Sequence, residues 1–374
     1  MNATRSERKL RILHIILVLR PTNGQYNEHC LPMLGLRDIT ICTYFKSQIT
    51  PPGEIKLFNG DGTLVGFFRA LHAALKEDEY DVIHVHTPHA GALLMIYLLA
   101  TGRYGELKPT TVHTIQNSYQ NFKLRNRLLH LPSFPLFERL VFCSQASYES
   151  FPTFFKWMGG NRMSVVQNAV DLTRINRVAQ AVEPSHKSSF IVTTVGLIKM
   201  KNPFTVLNAF RQSRDETSKL VYLGEGNLRS LLNREIEKAS LGGQVELTGM
   251  VERDRVFQYF AQSDLFVSAS WGEGLPVAVL EAMACRSPVV LSDIPPHREI
   301  AEGAEFIPLI EPGDVAGFAR EISRFLEMPA SERRGIGLQC QELIEKRFSL
   351  PAMHAGYAEI YSQVTGNPVL ALAD

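Results

Sequence analysis

Short, apolar, β-prone runs recur along the chain at 12–19, 39–44, 82–85, 110–113, 140–143 and 165–166, with helical or loop segments between them. A second series follows at 190–195, 219–223, 245–248, 265–268 and 289–291. Runs with no polar alternation fit strands buried on both faces of a parallel sheet, and strands alternating with helices predict a doubly wound α/β fold. The polar, proline-containing stretch 182–189 separates the two series and reads as the linker. Two Rossmann-like domains are therefore expected, 1–182 and 183–347, facing each other across a cleft that is the default ligand site. A terminal segment, 348–374, carries helical character around 352–363.

Two other segments have helical patterns. The longest apolar stretch, 92–100, is too short to cross a bilayer and reads as a buried helix. At 121–131, Leu124, Leu128 and Leu131 fall at helical spacing, with Lys123, Arg127 and His130 on a neighbouring face. Such a helix either packs on its own domain or lies on an anionic membrane surface.

A chain of 374 residues with 45% hydrophobic content can bury two cores. Its net charge of +1 conceals an asymmetry, since residues 1–180 carry +7 and residues 181–374 carry −6. The basic half suits an anionic surface or acceptor, and nothing points to nucleic acid. Five scattered cysteines, without paired spacing, read as buried thiols in a reducing compartment. The basic start followed by an apolar run mimics a secretion signal. Arg20-Pro21-Thr22-Asn23-Gly24 then follows without a small-residue cleavage site, so the run is assigned to the first strand and the protein to the cytoplasm.

Candidate chemistry concentrates at 264–293. Leu265 to Val267 form a strand, Gly272 and Gly274 break it, Pro276 suits the first helical position, and 277–284 propagate a helix. The free amides of that helix start favour an anion. Glu273 lies just before the turn, and Glu281 lies eight residues on, deeper along the same side. A ligand with a polar head, a diphosphate and a ribose would span that distance. A solvated loop carboxylate and a helix-surface carboxylate remain the alternative.

The segment from Glu273 to Glu281 resembles the E-x7-E signature of family 4 retaining glycosyltransferases, enzymes of the two-domain GT-B fold. Gly224-Glu225-Gly226 is similar to that family's Gly-Asp/Glu-Gly turn, and 245–251 to its next strand. Residues 287–290 and Glu299-Ile300 also fit, so five segments keep the family's order over roughly 165–315. In the first half, 81–91 and Val112-His113-Thr114 resemble two segments that end strands at the cleft, and Asn168-Ala169-Val170-Asp171 resembles a turn near the domain junction.

The resemblance implies a retaining, metal-independent transferase that moves a sugar from a nucleoside-diphosphate sugar to a glycan or lipid-linked acceptor, in cell-surface polysaccharide or glycolipid synthesis. It implies no cofactor beyond the donor, and a cytoplasmic enzyme that is peripheral at the inner membrane face. Lys201 becomes a fixed cation for the leaving diphosphate, whose negative charge grows in the transition state. The family's arginine is missing, with Leu197 in its place and Lys199 as the nearest substitute. Glu281 is assigned to the ribose, Glu273 to the transferred sugar, and the amides of Gly274 and Leu275 to the distal phosphate. Pro276 offers no N–H.

Gly224 and Gly226 either admit the nucleotide or form a plain turn, and Met250 and Val251 pack on the base or in the core. His113 is assigned to the reacting sugar, whereas His84 and His86 alternate along a strand and at least one is structural. Gly24 stands in for the Gly-Gly pair that usually follows the first strand, with polar residues at 21–29 shaping the pocket. No Asp-X-Asp occurs, so no metal is called for. Rival readings are a GT-B nucleotide-sugar epimerase or phosphorylase, and a nucleotide-sugar-binding protein without turnover.

Overall fold

The computed structural model describes residues 9–182 and 189–369. Most of the expected linker at 182–189, and the basic residues ahead of Lys9, lie outside the described residues. The chain divides into two compact units, Met1–Gln167 with Leu350–Asp374, and Asn168–Ser349.

The first unit is a seven-stranded sheet in the order β3-β2-β1-β4-β5-β6-β7. Its strands are β1 (Leu10–Ile16), β2 (Arg37–Thr43), β3 (Lys56–Asn59), β4 (Val82–Val85), β5 (Thr111–Ile115), β6 (Arg139–Phe142) and β7 (Met163–Val165). All pairs are parallel, and His14 of β1 stands opposite His84 of β4. From β4 to β7 the strands are neighbours in sequence order, so right-handed crossovers place Pro88–Ala100, Leu124–Leu136 and Thr153–Gly159 on one face. Against the other face, Tyr357 and Tyr361 of the helix Leu350–Thr365 reach β4 and β5 through His84 and Thr114.

The second unit is a six-stranded sheet in the order β10-β9-β8-β11-β12-β13. It comprises β8 (Ile191–Val195), β9 (Lys219–Leu223), β10 (Val245–Leu247), β11 (Leu265–Ser268), β12 (Val289–Ser292) and β13 (Leu309–Ile310), again all parallel. Tyr222, Phe210, Phe318 and Phe325 fill its core.

Two expectations need correction, and the winding of the loop between them is new. The first strand stops at Ile16, and the carbonyl of Leu17 turns to accept amides of Tyr44 and Phe45. The polar residues at 21–29 belong to a loop that is partly wound. Gln25–Cys30 winds into a π-helical turn in which Asn27, Glu28 and His29 are buried, a local conformation frequent at functional sites. The apolar helix Pro88–Ala100 is only half buried, with Ile96 and Leu99 at 55% and 54% exposure.

Candidate functional site

In the second unit, the turns after β8 and β11 meet at the carboxyl ends of two adjacent parallel strands, where ligands bind in open α/β sheets. Asn202 adopts the left-handed conformation, with φ 52°, and its side-chain amide donates to the carbonyl of Ala269 at 3.1 Å. The Trp271 amide donates to the carbonyl of Met200 at 2.8 Å, and the Ser292 hydroxyl to the carbonyl of Ser270 at 2.7 Å. Three strands thus fix one loop.

That loop delivers Lys201 to Glu273. The Lys201 Nζ lies 2.7 Å from Glu273 Oε1, and the Ser270 hydroxyl donates to the same oxygen at 2.6 Å. The side chains are only 22% and 11% exposed. Burial alone pushes the Glu273 carboxyl up, but the Lys201 charge and the two hydrogen bonds outweigh it, so its pKa falls below the ordinary value. Beside it, His297 is buried, with Nδ1 2.8 Å from the carbonyl of Ser292, and burial lowers its pKa to about 4 despite the nearby Glu273 charge.

Glu281 lies on the buried face of the helix Val277–Ala284. Its carboxylate is 2.5 Å from a guanidinium nitrogen of Arg253, the first residue of the helix Arg253–Ala261. Burial raises its pKa, which the charges of Arg253 and Arg174 only partly offset. The reading of two solvated carboxylates is excluded. Pro276 precedes the helix as its cap and is not its first residue, so the turn sits one position later than expected.

The remaining second-unit candidates fall into place individually. Leu197 is wholly buried, so the position of the missing arginine has become core, while Lys199 is exposed. Gly224 has φ +95°, which favours glycine. At Gly226 an added Cβ would lie 2.1 Å from the carbonyl oxygen of Leu197, so this glycine is explained by backbone packing without a ligand. Met250 is 62% exposed and not core, whereas Val251 is half buried. Leu275 is buried, and its carbonyl accepts from the side chain of Asn168 at 3.2 Å. Sequence reasoning missed Arg253 and His297. Arg253 follows the candidate base-contacting pair Met250-Val251, and that position at a strand's carboxyl end was the available signal.

The first unit holds the other candidates. Gly24 has ordinary right-handed angles, and a Cβ there would lie 3.1 Å from the Glu28 carboxylate, so glycine leaves room for a side chain of this protein. His113 sits in mid-strand, wholly buried against Gly91, Phe137 and a stacked His130, with neither ring nitrogen hydrogen-bonded. Burial lowers its pKa to about 3. His84 is structural, with its nitrogens 2.8 Å from the Tyr361 hydroxyl and 2.7 Å from the Thr114 hydroxyl. His130 does not share an outer face with Lys123 and Arg127 but is fully buried.

Among the described residues, His14, His84 and His86 alone form a group of three ligating side chains with donor atoms within 4.8 Å of one another. Their rings stack at 18° to 39° instead of fanning around a point, and His14 Nδ1 is 3.0 Å from His86 Nε2. Such an arrangement suits a hydrogen-bonded set of neutral imidazoles better than a metal shell.

Residues 176–337 match the Glycosyl transferases group 1 family, and residues 44–174 match Glycosyltransferase Family 4. The chain is a family 4 glycosyltransferase. The transferase is 26% identical over 273 residues, 68% of each chain, to the UDP-Gal:alpha-D-GlcNAc-diphosphoundecaprenol alpha-1,3-galactosyltransferase of Escherichia coli. It is 28% identical over 207 residues, 55% of each chain, to the N-acetylgalactosamine-N,N'-diacetylbacillosaminyl-diphospho-undecaprenol 4-alpha-N-acetylgalactosaminyltransferase of Campylobacter jejuni. Its fold is GT-B. Anabaena HepE, solved in complex with UDP and glucose, superposes with a TM-score of 0.75 at 18% identity, covering 94% of the transferase and 99% of that chain. Among the described residues of the transferase, no helix is long and apolar enough to cross a membrane.

Proposed function

We propose that the enzyme is a retaining, metal-independent transferase that moves a sugar from a nucleoside-diphosphate sugar to a glycan or lipid-linked acceptor at the inner membrane face. The observation that carries the donor-site reading is the nearly dehydrated Lys201–Glu273 pair beside a helix start. In the donor-free protein these charges satisfy each other. A bound diphosphate competes for Lys201 and releases Glu273 to accept hydrogen bonds from hydroxyls of the transferred sugar. Glu281, held by Arg253, accepts from the ribose hydroxyls.

Cation, helix dipole and amides then stabilise charge that accumulates on the departing diphosphate, which is a transition-state effect and not uniform binding. No metal and no protein nucleophile enters this scheme. The acceptor attacks on the face from which the diphosphate leaves, and that group takes the acceptor's proton. The relatives named for diphosphoundecaprenol substrates support a lipid-linked acceptor.

Thermal-shift screening against nucleoside diphosphates and their sugars should identify a stabilising donor, because ligand binding raises stability with the ratio of ligand concentration to dissociation constant. Lys201→Ala and Glu281→Ala should each weaken binding of that nucleotide about 10- to 100-fold, the range of charge-assisted hydrogen bonds. Wild-type titrations from both variants would overturn the donor-site assignment. Retention is read from the anomeric proton of the product, and metal independence from turnover in EDTA. Turnover without acceptor would favour the epimerase, and donor binding without any turnover the binding protein.

A further inference from the structure

The first unit keeps large apolar side chains in water on three neighbouring helices. On Leu124–Leu136, Leu124 and Leu128 are 70% and 55% exposed, and on Thr153–Gly159, Phe154 and Trp157 are 55% and 77% exposed and stack 6.2 Å apart. Ile96 and Leu99 continue this pattern on Pro88–Ala100, which packs against Leu124–Leu136 as Thr153–Gly159 does from its other side. These helices cover one face of the sheet. Their inner sides are anchored by Phe134 and Phe155, in edge contact at 4.8 Å, so the outward apolar side chains are not spare core residues awaiting burial.

Positive charge accompanies them. Residues 120–162 hold six Lys or Arg against two Asp or Glu. Lys123 and Arg125 are exposed beside the leucines. Arg127 donates to the carbonyls of Gln120 and Phe122, and Arg162 to those of Pro135, Phe137 and Met158, so both guanidiniums are held without a carboxylate partner among the described residues. An exposed apolar surface of several large side chains marks an interaction site. An aromatic pair and leucines set among Lys and Arg match the interface of an anionic bilayer, where apolar side chains enter the acyl boundary and cations meet headgroups. A second copy of the chain fits poorly, because a two-fold contact would set the same cations against each other.

We infer that this three-helix face, carried by Leu124, Leu128, Phe154 and Trp157, docks on an anionic phospholipid membrane. The inference is independent of the donor-site assignment and adds the Phe154–Trp157 pair and the Pro88–Ala100 helix to the single helix apparent in the sequence. The full chain should float with vesicles of phosphatidylcholine and phosphatidylglycerol at 2:1, and at least about fivefold less with phosphatidylcholine alone. Phe154→Ser with Trp157→Ser, or Leu124→Ser with Leu128→Ser, should reduce recovery about tenfold while leaving nucleotide affinity and thermal midpoint unchanged. Brominated lipid should quench fluorescence in the wild type and much less in Trp157→Phe. Absence of flotation with anionic vesicles, or equal flotation of both double variants, would overturn the inference. So would concentration-dependent dimerisation abolished by the same substitutions, which would assign the face to a second copy.

Discussion

A double-mutant cycle on Lys201 and Glu273 tests the central contact of the donor site directly. At 2.7 Å, two unit charges in an effective dielectric of about 20 attract by about 6 kcal/mol before desolvation and side-chain ordering are counted. With those costs, the measurable coupling should be about 2–4 kcal/mol. Lys201→Met leaves Glu273 buried beside an apolar chain, whereas the double variant Lys201→Met, Glu273→Gln removes both charges. Urea unfolding followed by fluorescence in a Trp157→Phe background reports on this loop, because Trp271, which belongs to it, is then the remaining tryptophan. The double variant should be less destabilised than the two single losses combined. Additivity within about 0.5 kcal/mol would mean that the charges do not interact, and the proposed exchange of Lys201 onto a diphosphate would lose its basis.

Three further outcomes follow from the geometry. Removing Arg253 as Arg253→Met takes away the cation that restrains the rise in the Glu281 pKa, so nucleotide affinity should fall more steeply between pH 7.5 and 5.5 than in wild type; parallel calorimetric profiles would refute the role of Arg253. His14 and His113 are held neutral, with pKa values lowered to about 3, chiefly by burial. Their contribution is complete above an unfolded pKa of about 6.5 and is lost as pH falls below it, at about 1.4 kcal/mol each by pH 5.5, so an unchanged urea midpoint between pH 7.0 and 5.5 would contradict their burial. Gly226→Ala places a methyl 2.1 Å from the Leu197 carbonyl oxygen, whereas Gly242→Ala meets nothing within 4 Å; the first should lose about 2 kcal/mol or more in thermal unfolding and the second almost nothing.

Most of the sheet architecture was legible because buried parallel strands are continuous apolar runs, and β9 and β11 lie at the positions expected. β3 escaped notice because it is a half-exposed four-residue strand, and β13 because it has only two residues. Glu273, Glu281 and Lys201 could be picked out because a strand, a glycine-containing turn and a helix start are local signals. Their pairing could not. Arg253 reaches Glu281, and Lys201 reaches Glu273, through the packing of separate elements, which no local period records. The leucine helix shows the same limit: spacing found Leu124, Leu128 and Leu131, but only the fold reveals that His130 turns inward and that Trp157 stands outside on the adjoining helix.

The route of the chain also sets an order of assembly. A ribosome releases β1 to β7 early, yet His84 and Thr114 bond to Tyr361 and Tyr357, which are made only after the whole second unit. Until then the nascent first unit keeps polar groups that its finished core cannot leave unpaired. It can collapse but cannot close. The second unit, continuous from Asn168 to Ser349, has no such debt and is free to complete its folding first, reversing the N-to-C order usual for domains made in succession.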